Sequence, residues 1–496
     1  MEYILPVGMN AGTVVVPSLI ALVYFIFRTL QKSKSKLSSL PTVGDYSKPC
    51  LQNDLIDAAR RYPDTPYMIP GIPNGPKTLV LPVRYLDELK SLPESKLSFV
   101  EAVYHKFAGK YSTLGVHSEV MVTSVKVDLT RNIARTLEAL QQEADLAIPD
   151  CIGACEDWTP IQFYHKILRV IALLSGRIFV GLPLSRDEEW IDTTINYTMA
   201  AFACVDPVNK LLPLTRDLFA PSIPEVRRVK EYRARGAQLL TPILEERRER
   251  MKDLTFEPPA DMIQFLIQNS GELADDALFQ SYMQMLISLA AIHTTAMNIT
   301  QVMYDLASHS EYIAPLREEL EAVLATDGGI LLKTSMTKLR KMDSFIKECQ
   351  RMNPPNAISL SRVATSNLTL SDGFYIPKGT CIAICSIGIY RDPSIYPSPY
   401  TFQPFRFSDL RSLPENANKY QLVTTGRDSL SFGHGIHACP GRFFASNEIK
   451  VILAGLLLRY DVKFQEGEGR PENVYGRTQI APNREAKVLF RKRGLN

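Results

Sequence analysis

Apolar residues recur at three-and-four spacing, with little Gly or Pro between them, over Arg131–Ala147, Glu225–Lys252, Asp275–His309 and Phe443–Tyr460. This period is one face of an α-helix, so four long helices are predicted. Runs with strand character are short: Lys77–Val83, Thr369–Leu370, Phe374–Ile376 and Cys381–Cys385, too few for a large sheet. The pattern is that of a mainly α body with a minor β portion. No fixed period recurs, which excludes solenoids and propellers. The charged run Glu245–Asp253 fits a solvated helix face with local ion pairs.

A different pattern precedes the body. Tyr3 to Phe27 carries no charge and Thr13 to Phe27 is dense in Val, Leu, Ile and Phe, long enough for a bilayer span of about 20 residues. Arg28, Lys32, Lys34 and Lys36 follow, an asymmetry that leaves the rest of the chain in the cytoplasm. The competing reading, a cleaved signal peptide, is disfavoured by the length of the stretch and by the position of the basic cluster after it. Three parts result: residues 1–36 as a membrane anchor with its basic stop, a polar hinge at 37–48, and one body at 49–496. On that topology the sequons at Asn196, Asn298 and Asn367 remain unmodified.

Composition narrows the function classes. With 56 Lys+Arg against 53 Asp+Glu over 496 residues, the net charge of +3 gives no basic stripe for phosphates, and nucleic acid is excluded as a partner. The eight cysteines are sparse and irregular, which fits a reducing compartment rather than a disulfide framework. Cys151/Cys155 and Cys381/Cys385 lack the companions of a zinc site and read as small apolar packers.

One cysteine has a different setting. Phe432-Gly433-His434-Gly435-Ile436-His437-Ala438-Cys439-Pro440-Gly441 is a Gly-rich loop running into an apolar helix. Cys439 then stands at the positive end of that helix, where N–H groups and the dipole favour a thiolate, while Gly435 and Gly441 allow a tight turn and close approach to a flat ligand. The spacing F-x-x-G-x-x-x-C-x-G resembles the haem-binding loop of the cytochrome P-450 family, whose single Cys is the proximal iron ligand. Phe432 and Gly441 are then part of the haem cradle, and residues 49–496 are a haem-binding catalytic domain with the cytochrome P-450 fold.

Three further segments carry the resemblance. Glu348-Cys349-Gln350-Arg351 looks like the family's E-x-x-R pair, and i,i+3 spacing sets both side chains on one helix face. Pro404-Phe405-Arg406-Phe407 resembles its P-E-R-F segment, with Phe405 in place of the acid. The resemblance implies structural roles for Glu348, Arg351 and Arg406. Ala290-Ala291-Ile292-His293-Thr294-Thr295 resembles the distal-helix motif A-G-x-D/E-T-T: Thr294 falls on the Thr, His293 on the acid and Ala291 on the Gly. The resemblance implies proton delivery by Thr294, through the His293 imidazole or through water. The competing readings are a Thr294 hydroxyl bonded back to the Ala290 carbonyl and a packed His293. His437, Arg362 and, more weakly, Arg131 stand where the family places haem-propionate partners, although Val127 replaces the Trp of its W-x-x-x-R. Ala290 and Ala291, with Ala357–Leu360, Ile480–Ala481 and Ala200–Phe202, are the candidate substrate walls.

Val180–Leu184, the distal motif and Cys439–Glu448 look like filamentous-fungal members of specialised metabolism, several of which oxidise diterpenes, indole diterpenes or meroterpenoids. The function implied is a haem-thiolate monooxygenase of a lipophilic metabolite on the endoplasmic reticulum membrane, holding haem b. No dinucleotide or phosphate-binding loop occurs in the chain, so NADPH acts through a partner, the family's reductase, with cytochrome b5 as a second donor. Glu225–Lys252 and Arg491–Arg493 are candidate docking charges. Two alternatives remain: an NADPH-independent haem-thiolate isomerase or lyase, and a non-enzymatic haem-binding protein.

Overall fold

The computed structural model describes residues 37–45, 47–71 and 76–494. The predicted anchor at 1–36 lies outside them. Among the described residues no helix is long and apolar enough to cross a membrane.

Nine helices carry the argument: α1 Gln52–Arg61, α2 Phe99–Lys106, α3 Ile133–Ile152, α4 Phe163–Phe179, α5 Glu188–Ala203, α6 Pro224–Met251, α7 Ala277–Ser308, α8 Arg340–Met352 and α9 Arg442–Arg459. The 32-residue α7 is about 48 Å long at 1.5 Å per residue. Asp276 starts it by accepting the Phe279 N–H at 3.0 Å, satisfying a donor that a helix start leaves orphaned. It is buried on nearly every side by α4, α5, α6 and α9, as expected of a helix that is apolar all round. The predicted Arg131–Ala147 helix is displaced: a π-helical turn at Ser124–Leu129 precedes it, and α3 runs on through Pro149 to Ile152.

The β portion exceeds the expectation of a few isolated runs. Strands β1 Tyr67–Ile69, β2 Thr78–Leu81, β3 Leu97–Ser98, β4 Thr159–Gln162, β5 Ser359–Ala364, β6 Cys381–Ile384, β7 Tyr460–Lys463 and β8 Lys487–Lys492 make two sheets. One has five strands in the order β1-β2-β6-β5-β3, and the other is β4-β8-β7. β2 and β6 fall within the predicted runs Lys77–Val83 and Cys381–Cys385, while the other six strands lie outside the predicted runs. The 37–48 stretch is not a free hinge. The Val43 N–H donates to Met68 O and the Met68 N–H to Pro41 O, both at 2.8 Å, so it edges the five-stranded sheet. Its apolar members Leu37 and Leu40 pack on the core beneath.

β5 matters for the site. Its register shifts between Ser359 and Arg362, and Leu360 there has φ +54°, a left-handed conformation that costs a branched side chain on the order of 1 kcal/mol. The bulge re-aims the residues on either side of it.

Candidate active site

The loop before α9 is built by backbone contacts that glycine permits. Gly435 has φ +78°, and a Cβ there would lie 2.1 Å from the Lys90 carbonyl oxygen, so no side chain is tolerated. That close approach lets the Ile436 N–H donate to the same carbonyl at 3.1 Å, while the Cys439 N–H closes the loop on Phe432 O at 2.8 Å. At Gly441 a Cβ would meet only Val125, at an ordinary 3.6 Å; nothing in the chain itself demands glycine there.

Cys439 is enclosed at the start of α9, and burial pushes its thiol up. The Gly441 and Arg442 N–H groups and the Arg442 charge pull the other way. The helix end thus draws the sulfur toward the thiolate while burial opposes it. A ligand that brings its own positive charge to the sulfur reverses the balance, as a coordinated metal does.

The stretch leading into the loop is pinned from α8. Lys347, buried on the same helix as Glu348, gives its ammonium protons to Gln421 O at 2.9 Å, Thr424 O at 3.2 Å and Ser429 Oγ at 3.0 Å. The Tyr390 hydroxyl accepts the Leu430 N–H at 2.8 Å and lies 3.1 Å from Ser431 Oγ. Nothing in the sequence marks Lys347, whose acceptors are two carbonyls and a hydroxyl more than 70 residues away.

The predicted charge triad is assembled. Arg351 donates Nε and Nη2 to the two Glu348 oxygens at 2.8 and 2.7 Å, a bidentate geometry. Its Nη1 reaches the Tyr390 and Pro399 carbonyls. Arg406 Nε approaches Glu348 at 3.3 Å, and the Gln403 N–H donates to it at 3.0 Å. All of this lies in the core, so Glu348, Arg351 and Arg406 fasten α8 to the segment before the cysteine loop.

On α7, Ala290 and Thr294 are exposed although the helix around them is buried. Exposed residues at i,i+4 in the middle of a core helix mark one face opening onto internal space. Ala291 is half-buried and turns partly into the core. The Thr294 hydroxyl donates to Ala290 O at 2.8 Å, the back-bonded arrangement, which leaves its lone pairs facing that space. His293 is placed otherwise. Its ring lies between the Tyr164 hydroxyl, 3.3 Å from Nδ1, and Ile195 O, 3.2 Å from Nε2, and burial depresses its pKa to about 4. His293 is a packed, neutral imidazole on the side of α7 facing α4 and α5, and the relay role expected of it is corrected: successive helical residues point about 100° apart.

Arg362 and His437 converge on Phe99. The Phe99 ring lies 5.3 Å from the His437 ring and 4.9 Å from the Arg362 guanidinium. His437 Nε2 is 2.8 Å from Glu94 Oε1 but without hydrogen-bonding alignment. Arg362 is buried, donates one hydrogen bond among the described residues, to Ser361 O at 2.8 Å, and is pushed down to about 10 by burial. Burial lowers the His437 pKa, so Arg362 is the cation of the pair; a guanidinium and an imidazole N–H with unspent capacity suit carboxylates on a bound group. Arg131 lies between the π-helical turn and α3 and is exposed. Arg491, Lys492 and Arg493 are engaged in surface ion pairs with Asp461, Glu156 and Glu321.

A lone enclosed thiol on a glycine loop, an open face on the long helix, a buried guanidinium and an imidazole together fit haem, which Cys439 would ligate and whose propionates Arg362 and His437 would meet. The family model of cytochrome P-450 matches residues 161–490. The chain belongs to the cytochrome P-450 family. It is similar to the cytochrome P-450 monooxygenase BOA4 of Botryotinia fuckeliana, 41% identical over 98% of this chain and 97% of the relative. It is also similar to ascG of Acremonium egyptiacum, 37% identical over 96% and 94%, and to ataF of Aspergillus terreus, 34% identical over 95% and 94%, both likewise named cytochrome P-450 monooxygenases. This P-450 is accordingly a monooxygenase, an oxidoreductase.

Besides Lys347, the buried Glu448 and the half-buried Lys106 escaped the sequence reading. Glu448 lies wholly within the core, accepting from Ser175 Oγ at 2.7 Å and touching the Thr295 hydroxyl. Burial raises its pKa to about 8. Lys106 is treated below.

Proposed function

We propose that this P-450 oxidises a lipophilic secondary metabolite, of terpenoid, indole-diterpene or meroterpenoid type, with dioxygen and electrons supplied from NADPH by a membrane-bound reductase, cytochrome b5 being a second donor. The observation that carries the reading is the exposed Ala290–Thr294 face set in an otherwise buried helix that packs on α9, the helix the glycine loop of Cys439 leads into. Haem, when bound, supplies the activation of dioxygen that a thiolate ligand favours.

The chain's own residues hold and aim. Cys439 offers the sulfur, with the Gly441 and Arg442 N–H groups against it. Arg362 offers a guanidinium and His437 an imidazole N–H beside Phe99. Thr294 presents hydroxyl lone pairs to the open face and passes a proton from there. Ala290, lacking bulk, leaves room for an apolar skeleton. The overall reaction balances as RH + O2 + NADPH + H⁺ giving ROH + H2O + NADP⁺. The apolar segment before residue 36 and the basic residues after it support attachment to the endoplasmic reticulum membrane with the body on the cytoplasmic side.

The test is expression with a fungal reductase in yeast microsomes, feeding a terpenoid panel under isotopically heavy dioxygen, with and without NADPH. One heavy oxygen in a product that requires NADPH supports the reading. A rearranged product formed without NADPH overturns it in favour of the isomerase.

A further inference from the structure

Helix α2 starts where β3 ends, with Ser98 Oγ accepting the Glu101 N–H at 2.9 Å. It packs on β5, yet none of its residues is fully buried, so part of its inner surface faces open space. Its first residue, Phe99, touches His437 of the cysteine loop and Arg362, which fixes that face toward the site. Lys106 comes seven residues later. Seven steps of about 100° bring a side chain back to within about 20° of the starting face, about 10 Å along the axis. The next residue, Phe107, lies edge-on to Phe202 of α5, ring centres 5.8 Å apart, so α5 walls that end.

Lys106 is unusual among the lysines of the body. Lys90 and Lys110 pair with Asp87 and Asp217, and Lys347 spends its protons on three oxygens. Among the described residues Lys106 has no hydrogen bond from its ammonium and no carboxylate partner; its contact is the Phe107 ring, 5.3 Å from Nζ. Burial by itself holds the ammonium below the usual lysine value, with no acid opposing the shift. Yet the residue keeps accessible surface. A half-buried cation on the Phe99 side of α2, beside the Phe107–Phe202 contact, is placed to meet a ligand that enters between α2 and α5. An enclosed charge without a counter-charge is costly, and a ligand carrying the anion removes that cost.

We propose that Lys106 is a specificity-determining residue that binds a carboxylate on the lipophilic substrate, anchoring one end of an apolar acid while the remainder extends along the Phe99 face toward Thr294. This rests on the monooxygenase reading of the site and adds a substrate class, lipophilic carboxylic acids.

The experiment titrates purified, haem-loaded enzyme with three matched pairs, each a carboxylic acid and its methyl ester: a long-chain fatty acid, a resin-type diterpenoid acid and a farnesyl-bearing aromatic acid. Binding is read from the spin-state shift of the haem absorption band, without turnover. In the wild type at least one acid binds about tenfold or more tightly than its ester, the range of a charged hydrogen bond. Lys106→Met removes that preference and Lys106→Arg restores it, with the thiolate-type band of the reduced carbonyl complex intact in all three proteins. No preference for the acid in any pair, whether both members bind or neither does, overturns the proposal, as does a preference that survives in Lys106→Met. Loss of the thiolate-type band in the wild type itself is failure of the underlying monooxygenase reading instead.

Discussion

Replacing Glu348 by Gln keeps the shape of the side chain and removes its charge. In the native fold its carboxylate accepts from Arg351 Nε and Nη2, from the Gln403 N–H and from Arg406. Glu348 itself is 0% and Arg351 2% exposed. The amide leaves two core guanidinium groups facing each other without an anion, and its own NH2 group turns a donor toward Arg351. Removing one member of a buried ion pair costs about 3–5 kcal/mol, and here two cations share the one acid, so a loss of about 4 kcal/mol is expected. That is a large share of the roughly 5–15 kcal/mol typical of a folded domain. Because Lys347 on the same helix holds the stretch before the cysteine loop, the loss extends to the haem site. The assay is a urea titration followed by far-ultraviolet circular dichroism, with the thiolate-type fraction of the reduced carbonyl complex measured at each point. Glu348→Gln should unfold at clearly lower urea and lose the thiolate-type band first. A midpoint unchanged from wild type, within about 0.5 kcal/mol, refutes the reasoning that this network is a keystone of the fold.

Two further predictions follow from buried titratable groups. Glu448 has a folded pKa of about 8 against an ordinary 4.5, so between those values the unfolded chain ionises while the folded acid stays protonated. Stability therefore falls as pH rises through that window, by a total of a few kcal/mol. Glu448→Gln, neutral throughout, should lose less stability between about pH 5 and pH 8 than wild type, read as urea midpoints at each pH; parallel pH dependences would contradict it. His293, with a folded pKa of about 4 against 6.5, destabilises the fold as pH falls through that window, since only the unfolded imidazole takes a proton. His293→Gln should flatten that acid loss and leave the pH dependence of turnover between about pH 6 and pH 8 unshifted. A displaced turnover profile would return His293 to the proton path.

What the sequence revealed and what it hid divide along physical lines. The ends of α6, α7 and α9 fall within two residues of the predicted runs, because a helix buried over many turns writes its own period. The cysteine loop and the Glu348–Arg351 pair were legible because their geometry is local: a glycine turn, an i,i+3 step. His293 was not, because adjacent positions on a helix face different surroundings, and only the packing of α4 and α5 shows that the imidazole turns from the Thr294 face. The π-helical turn before α3 was not legible either, since it leaves no composition signature. Lys347 and Lys106 are ordinary lysines in sequence; their roles come from what lies beside them in space. The five-stranded sheet was under-read because β1, β3 and β5 come from stretches far apart in the chain.

The central claim, that Cys439 is the thiolate ligand of a haem that makes this chain an oxygenase, is tested most directly by the reduced carbonyl spectrum of the purified protein and of Cys439→Ala. The account predicts the thiolate-type band in the wild type and its complete loss in Cys439→Ala. A thiolate-type band that survives the substitution, or a wild-type protein purified with haem that never shows one, would contradict it.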